Sequence, residues 1–140
     1  MNLILASGSI YRKKLLENAG LAFEVFPADI DEESLAADGM RRGDSPDVIC
    51  AALARAKALE VSRKHTDALV IGADQMLYDD RAVRFKSPTP EVAVATLMAL
   101  RGREHRLTSC VCAARDGKLL WEHADSATMT MRNFDESFAR

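Results

Sequence analysis

The stretch that decides the fold runs from Leu3 to Leu16 and reads LILASGSIYRKKLL. It begins with a short apolar run, Leu3 to Ala6, which predicts a buried strand. The small polar residues 7–9 supply turn chemistry, and apolar residues then recur at helical spacing as far as Gly20, a typical C-terminal cap. The sequence therefore predicts a strand, a tight turn and a helix whose first turn is basic.

The basic first turn of this helix, Arg12-Lys13-Lys14, is unfavourable for the helix dipole, which prefers acidic residues at that end. The free N–H groups of a helix start, together with the hydroxyl groups of Ser7 and Ser9, favour an anion such as phosphate. A serine-capped helix with a solvated basic face accounts for the same residues. On this stretch alone both interpretations stay open.

Length and composition set broad limits on the class of protein. A chain of 140 residues suits one domain, spanning 1–140, and its net charge of −2 gives no general attraction to nucleic acid polymers or acidic membranes. No apolar run approaches the roughly 20 residues of a membrane span. The first predicted strand begins too early for a signal peptide, so we expect a cytoplasmic protein.

The cysteine and histidine residues follow no metal-binding pattern. Cys50, Cys110 and Cys112 are odd in number and lack the C-x-x-C spacing, which favours buried, reduced thiols. The three histidines are widely spaced and are interpreted as structural or surface residues.

Helix and strand signals alternate along the rest of the chain. Residues 21–26 predict a second strand, and the polar residues 35–44 a mobile segment. Ser45-Pro46 and Thr89-Pro90 each combine an N-cap with a first-turn proline, so helices are expected from there to about Arg63 and to Gly102. Hairpins are predicted around residues 79–80 and 116–117, with strands over 105–114, 118–122 and 126–132 and a helix starting near 133–136.

Two acidic segments are candidates for chemistry. Four acids crowd into residues 29–33, either as a solvated loop or as the source of an oxygen ligand for Mg²⁺. Asp74 follows a buried apolar run, residues 68–71, and ligands of open α/β sheets gather at such strand ends. A turn-forming role for Asp74, and a surface role for Lys57 at the edge of the apolar stripe of its helix, remain the alternatives.

Taken in order, six short motifs resemble the signature of the Maf (septum-formation inhibitor) family. They cover essentially the whole chain: Leu5-Ala6-Ser7-Gly8-Ser9-x-x-Arg12, Asp29-Ile30-Asp31-Glu32, Leu53-Ala54-x-x-Lys57-Ala58, Ile71-Gly72-Ala73-Asp74-Gln75, Lys86-x-Pro88 and Leu100-Arg101-Gly102-x-x-His105. The resemblance implies an α/β fold of the inosine-triphosphatase kind, a mixed sheet with helices on both sides and a cleft between two lobes.

The resemblance also implies an activity and a set of site residues. Family members are house-cleaning pyrophosphatases that hydrolyse nucleoside triphosphates to monophosphate and pyrophosphate with a divalent metal, Mg²⁺ or alternatively Mn²⁺. By the motifs, Asp74 is the general base, and Glu32 and Asp74 are the carboxylates near the metal. Phosphate contacts are expected from Ser7, Arg12, Lys57 and Lys86. A homodimer is one expected assembly.

Two residues indicate which nucleotide base is preferred. Tyr11 and Gln75 resemble the 7-methyl-GTP branch of the family rather than its uridine and thymidine triphosphate branch. An aromatic face can stack on a base, and a cationic methylated guanine adds a cation–π contribution. Ordinary packing of Tyr11 is the alternative.

The sequence departs from the family pattern in three places. Ile10 replaces the usual proline, and Phe85 the usual glycine before Lys86. The family's C-terminal segment, with its glycine-rich part and substrate-contacting glutamine, has no counterpart here, so we expect a single Maf-like domain that lacks it. The alternative function is accordingly a catalytically impaired nucleotide-binding or cell-division regulatory module.

Overall fold

The computed structural model describes residues 2–84 and 88–140 and shows a mixed sheet flanked by helices. Its elements in chain order are β1 (Asn2–Leu5), α1 (Ile10–Asn18), β2 (Glu24–Val25), α2 (Glu32–Arg42), α3 (Pro46–Lys64), β3 (Ala68–Tyr78), β4 (Val83–Arg84), α4 (Pro90–Leu100), β5 (Glu104–Arg115), β6 (Lys118–Thr130) and α5 (Glu136–Ala139).

The sheet changes from parallel to antiparallel pairing at its central strand, β3. The strand order is β2-β1-β3-β5-β6, with β4 pairing to the outer part of β3. β1 runs parallel to both β2 and β3, whereas β5 and β6 form a long antiparallel hairpin beside β3. β3 therefore pairs with the parallel strand β1 along its first residues and with the antiparallel strand β5 from Val70 to Tyr78.

The helix starts follow the capping signals in the sequence. Ser9, Ser45 and Thr89 are N-caps whose hydroxyl oxygens accept backbone N–H groups of α1, α3 and α4. Proline occupies the first helical position of α3 and α4, where its missing N–H costs nothing. These predicted helices are confirmed, and so are the turns at residues 79–80 and 116–117.

The core lies between α3 and one face of the sheet. Apolar side chains on this face, such as Val70 and Met76 of β3, pack with Leu53 and Val61 of α3. Cys50, Cys110 and Cys112 lie in the same layer as buried free thiols, as predicted. Burial raises the pKa of the Cys112 thiol to about 11, so it stays protonated at neutral pH.

Gly72 fixes how closely α3 approaches the sheet. A methyl group on Gly72 would lie 2.8 Å from the backbone nitrogen of Ala58, and closer still to the Ala54 carbonyl oxygen. The strand and the helix thus touch backbone to backbone where both residues on the helix side are alanines. This contact lets side chains of α3 reach the atoms of β3 directly.

The structure corrects the sequence interpretation at three elements. Residues 35–44, expected to be mobile, belong mostly to the regular helix α2. β3, which was expected to carry Asp74 at its carboxyl end, continues past it to Tyr78, and the two strands expected over 118–122 and 126–132 form one strand, β6. Within the described residues, no helix is long and apolar enough to cross a membrane.

Candidate active site

Asp74 lies beside the turn that follows β1 because of the register between β1 and β3. Leu5 pairs with Ile71, and the Ala6 N–H donates to the Ile71 carbonyl at 2.9 Å. β1 stops there, whereas β3 continues past it. The Ser7–Ser9 turn therefore leaves the sheet next to the part of β3 that carries Asp74.

The turn holds the Arg12 guanidinium in place. Ser7 is buried, and its Oγ accepts from Arg12 Nη1 at 3.0 Å and from the Ser9 backbone N–H at 3.1 Å. Ser9 Oγ accepts from the Arg12 backbone N–H at 3.3 Å and caps α1. The phosphate-type turn predicted from the sequence thus presents one fixed cation, two hydroxyls and a helix start together.

Lys57 joins the site from the other side, on α3. Its Nζ donates to Asp74 Oδ1 at 3.1 Å and to the Ala73 carbonyl at 3.3 Å, and it also pairs with Glu32 Oε1. The side chains of Lys57 and Asp74 are 11% and 14% exposed, whereas that of Glu32 is 52% exposed. A buried ammonium group therefore bridges one buried and one accessible carboxylate.

The electrostatics of Asp74 suit a base. Burial raises the pKa of its carboxyl above the usual value, the positive charge and hydrogen bond of Lys57 oppose that rise, Glu32 adds to it and Arg12 reduces it. The net pKa is raised, so the carboxylate holds a proton more readily than an exposed aspartate does. Raising a carboxyl pKa towards neutrality improves it as a proton acceptor.

Glu32 reaches the site because α2 begins with it. Asp31 is the N-cap of α2, and its Oδ1 accepts the Ser34 backbone N–H at 3.1 Å. Glu32 then occupies the first turn, where acidic residues are favoured. The sequence carried this signal in the order Asp, Glu, Glu, Ser, but the acids there were interpreted only as a solvated loop or a metal ligand.

Two predicted site residues lie apart from this cluster, and a third is not described. Gln75 follows Asp74 in a continuous strand, so its side chain points to the opposite face of the sheet, where it donates to Ser109 Oγ at 2.9 Å. Tyr11 lies next to Arg12 in α1, but its ring is 80% exposed. Lys86 lies outside the described residues.

Sequence reasoning missed one part of the site. The Ser9 hydroxyl was expected at the helix start, and it accepts the Arg12 backbone N–H there. The Ala73 carbonyl, which accepts a hydrogen bond from Lys57, has no side-chain signal in the sequence. Only the closeness of α3 to β3 makes that backbone oxygen part of the site.

The fold defines a class of α/β proteins in which helices flank a mixed sheet. A HAM1 protein from Coxiella burnetii has a similar fold, with a TM-score of 0.56 over 91% of this chain and 70% of that chain, at 12% identity. The expected inosine-triphosphatase-like fold is confirmed by this likeness. The likeness shows the fold, a mixed sheet with helices packed on it, and does not show an activity.

Sequence comparison identifies the protein family, which the fold alone does not. The family model described as Maf-like protein matches residues 2–140, and the chain belongs to this family. It is 47% identical to a nucleoside triphosphate pyrophosphatase of Paramagnetospirillum magneticum, over 96% of this chain and 70% of that relative. It is 48% identical to a 7-methyl-GTP pyrophosphatase of Mesorhizobium japonicum, over 97% of this chain and 68% of that relative.

Proposed function

We propose that this protein hydrolyses a nucleoside triphosphate to a nucleoside monophosphate and pyrophosphate, with Asp74 as the general base. The observation that carries the proposal is the convergence of Asp74, Lys57 and Glu32 beside the Ser7–Arg12 turn. The relatives named as nucleoside triphosphate pyrophosphatases support it. Membership of the Maf family supports the same reaction class.

The reaction needs a water molecule to attack the α-phosphorus. In the proposed step, Asp74 accepts a proton from that water as its oxygen bonds to the α-phosphorus. The bond from the α-phosphorus to the bridging oxygen breaks, and the electron pair leaves with pyrophosphate. Lys57 donates a hydrogen bond to Asp74 at 3.1 Å and thereby orients the carboxylate that accepts the proton.

Charge develops on the phosphate oxygens during this step, so fixed cations and donors contribute most of the stabilisation. Arg12 and the start of α1 face the substrate from one side, and Lys57 from the other. An exposed helix start alone contributes about 0.3–1 kcal/mol to anion binding. Micromolar binding needs about 8 kcal/mol, so we assign it to these cations acting together, with Lys86 as a further contact by its motif.

We further propose Mg²⁺, or alternatively Mn²⁺, as the cofactor. Asp74 and Glu32 supply hard oxygen donors that already converge on one cation, the Lys57 ammonium group. Mg²⁺ usually takes one or two protein carboxylates and completes its shell with water and substrate phosphates, so these residues fit it. The ion would neutralise charge on the triphosphate when bound.

Asp74→Asn tests the proposal. The amide keeps the shape of the side chain but cannot accept the proton, so we expect pyrophosphate release to fall by about 10²–10⁴-fold, the range for loss of a general base. Nucleotide binding, measured by calorimetry, should persist because the cations remain. Asp38→Asn on α2, outside the cluster, is the matched control and should keep full activity.

Two results would contradict this assignment. Full activity in Asp74→Asn would remove Asp74 as the base. Tight binding of nucleotide by the native protein, with no product after long incubation, would favour the alternative of a nucleotide-binding or regulatory module.

We propose modified purine nucleotides, with 7-methyl-GTP foremost, as the preferred substrates. Several relatives at 43–48% identity are named 7-methyl-GTP pyrophosphatase. Tyr11 lies next to Arg12 and exposes most of its ring, so it is available to stack on a base whose phosphates Arg12 holds. A house-cleaning role on free nucleotides agrees with a cytoplasmic location, which we include in the proposal.

Tyr11→Arg tests this preference. Placing a positive charge against a cationic base should lower kcat/KM for 7-methyl-GTP more than for UTP or dTTP. The three substrates are compared by pyrophosphate release, with Tyr11→Phe as the control that keeps the ring. If the ratio of kcat/KM for 7-methyl-GTP to that for UTP or dTTP is unchanged, Tyr11 does not select the base and has only a packing role.

A further inference from the structure

The segment that carries Glu32 into the site has no regular structure of its own. It spans residues 26–31, between the end of β2 and the start of α2. At its beginning, the Phe26 N–H donates to the Leu5 carbonyl at 3.0 Å, and at its end Asp31 caps α2. A further contact in its middle joins the segment to α3.

That middle contact is made by Glu60 of α3. Its Oε2 accepts the Asp29 backbone N–H at 3.1 Å, while its Oε1 pairs with Lys64, one turn further along the helix. The hydrogen bond from Lys64 is the main influence on the pKa of Glu60 and lowers it, so the carboxylate is ionised at neutral pH. Glu60 therefore holds the segment by a charge-assisted hydrogen bond, which is stronger than one between neutral groups.

The segment and the helix meet in matching order. Glu60 holds Asp29, and Lys57, three residues earlier on α3, pairs with Glu32, three residues later along the segment. Residues three apart in a helix lie on the same face. The two contacts therefore lie side by side on α3 and hold the chain from Asp29 to Glu32 along the helix.

This arrangement bears on metal binding because Glu32 carries the more exposed of the two proposed metal-binding carboxylates. Its side chain is 52% exposed. A mobile side chain loses conformational entropy when it binds a ligand, and a backbone that is fixed beforehand reduces this cost. The hydrogen bond at Asp29 fixes the backbone three residues before Glu32, so it should contribute to the affinity for the metal.

We propose that Glu60 is a positioning residue of the candidate active site, which fixes the backbone at Asp29 so that the Glu32 carboxylate is held beside Asp74 for the divalent metal. This inference rests on the proposed function, and it adds a residue that lies outside all six sequence motifs. Glu60 acts through the segment and not by contact with the metal or the nucleotide.

Mn²⁺ binding to the nucleotide-free protein tests this role without relying on catalysis. Free Mn²⁺ is followed by electron paramagnetic resonance, which gives the Kd for the metal alone. Glu60→Ala removes the acceptor, and we expect the Kd to rise about tenfold, the equivalent of one hydrogen bond to a charged group. Glu60→Gln keeps an oxygen that can accept the Asp29 N–H and should hold the Kd within about twofold of the native value.

A double-mutant cycle shows whether Glu60 acts through Glu32. Glu32→Gln should raise the Kd at least as much as Glu60→Ala does. The double variant Glu32→Gln/Glu60→Ala should bind Mn²⁺ no more weakly than Glu32→Gln alone, because the carboxylate that Glu60 positions is already absent. Lys64→Met, the matched control, removes the ion pair of Glu60 but not its contact with Asp29, and should leave the Kd unchanged.

The kinetic assay gives a second readout that a purely structural role would not change. Glu60→Ala should raise the Mg²⁺ concentration that gives half the maximal rate by about tenfold. At saturating Mg²⁺, kcat and the pH dependence should stay close to native, because Lys57 still contacts Asp74. A residue that only stabilises the fold would lower the Tm without changing the metal affinity of the folded protein.

Four results would overturn the proposal. They are an equal Kd for Mn²⁺ in the native protein and Glu60→Ala, a Kd in Glu60→Gln as high as in Glu60→Ala, a double variant weaker than Glu32→Gln, and no Mn²⁺ binding by the native protein. Failure of the proposed function is distinguishable from all of these. It would appear as no pyrophosphate release from any nucleotide, with the Mn²⁺ results as expected.

Discussion

At the scale of single residues, the central contact of the site is one lysine that pairs with two carboxylates. Lys57 pairs with buried Asp74 and with the more accessible Glu32. It is the strongest of the influences that lower the pKa of Asp74, while burial and Glu32 raise it. The protonation state of the proposed base therefore depends on its burial and on Lys57, a residue of another element, α3.

Replacing this lysine should change the pH dependence of the reaction. In Lys57→Met the pKa of Asp74 rises further, because burial and Glu32 then act unopposed by the nearest cation. Activity requires the ionised carboxylate, so it increases as pH rises through this pKa. The acidic limb of the kcat/KM profile should move to higher pH by about one unit or more.

Two further variants make this measurement specific. Lys57→Arg keeps the positive charge and should leave the acidic limb close to its native position. Lys64→Met removes an exposed lysine of the same helix, one that pairs with Glu60, and should change neither the limb nor the rate. A limb that stays in place in Lys57→Met would mean that Asp74 is not the titrating group.

At the scale of elements, the site depends on the distance between α3 and β3. Gly72 allows the helix to lie against the strand, which brings Lys57 within hydrogen-bond distance of Asp74 and of the Ala73 carbonyl. Any side chain at this position must push the helix and the strand apart, because the nearest atoms are the Ala54 carbonyl oxygen and the backbone nitrogen and Cβ of Ala58.

Gly72→Ala should therefore affect both stability and activity. We expect the free energy of unfolding, measured by denaturant titration, to fall by about 1–3 kcal/mol, the usual cost of overpacking a core. The rate should fall as well, since a displaced α3 moves Lys57 away from Asp74. Gly8→Ala is the control for stability, because its new methyl group would meet only a Pro27 side-chain atom at 3.9 Å. A loss of stability as large in Gly8→Ala would argue against a special role for the α3 contact.

The sequence predicted those helices whose starts are marked by neighbouring residues, an N-cap and in two cases a first-turn proline. The N-caps Ser9, Ser45 and Thr89, with prolines after the last two, placed three helix starts correctly. α2 was missed because its sequence is polar, and what secures it is contact with α3: Gly39 lies so close to Ile49 that a methyl group on it would approach the Ile49 side chain within 2.7 Å. Such a contact between distant residues has no local signal.

The sequence predicted most residues of the candidate site, but it did not predict which face of the sheet each side chain occupies. Five of the predicted side chains converge in the structure: Ser7, Arg12, Glu32, Lys57 and Asp74. Gln75 was predicted from the motif resemblance alone, which does not show which face of the strand a residue occupies. Since β3 continues to Tyr78, alternation sends the two side chains to opposite faces.

At the scale of the whole molecule, the cations of the site act within a chain whose net charge is −2. Under the proposed function, anion binding is therefore local to the Ser7–Arg12 turn and Lys57 rather than a property of the whole protein surface. Acidic side chains do not cluster at the site either. The described residues contain no group of three or more His, Cys, Asp or Glu side chains able to hold a metal. Any Mg²⁺ must therefore obtain most of its ligands from water and from the nucleotide.

Removing divalent metal should accordingly abolish activity without unfolding the protein. With a chelator present we expect no pyrophosphate release, and full recovery when Mg²⁺ is added in excess. The Tm of the nucleotide-free protein should change by less than about 2 °C, because two carboxylates bind the ion too weakly to stabilise the fold appreciably. A large drop in Tm on chelation would instead indicate a structural metal site.

The parallel pairing of β1 with β3 also determines when the site is completed during folding. β5 and β6 are joined by a two-residue turn and can close rapidly, whereas β1 must wait for the chain through α1, α2 and α3 to close a long loop onto β3. In pulse-labelling hydrogen exchange, amides of the β5–β6 hairpin should be protected before those of β1. When the whole chain refolds from denaturant, the turn that carries Ser7 and Arg12 thus meets Asp74 late, after the β5–β6 hairpin has formed.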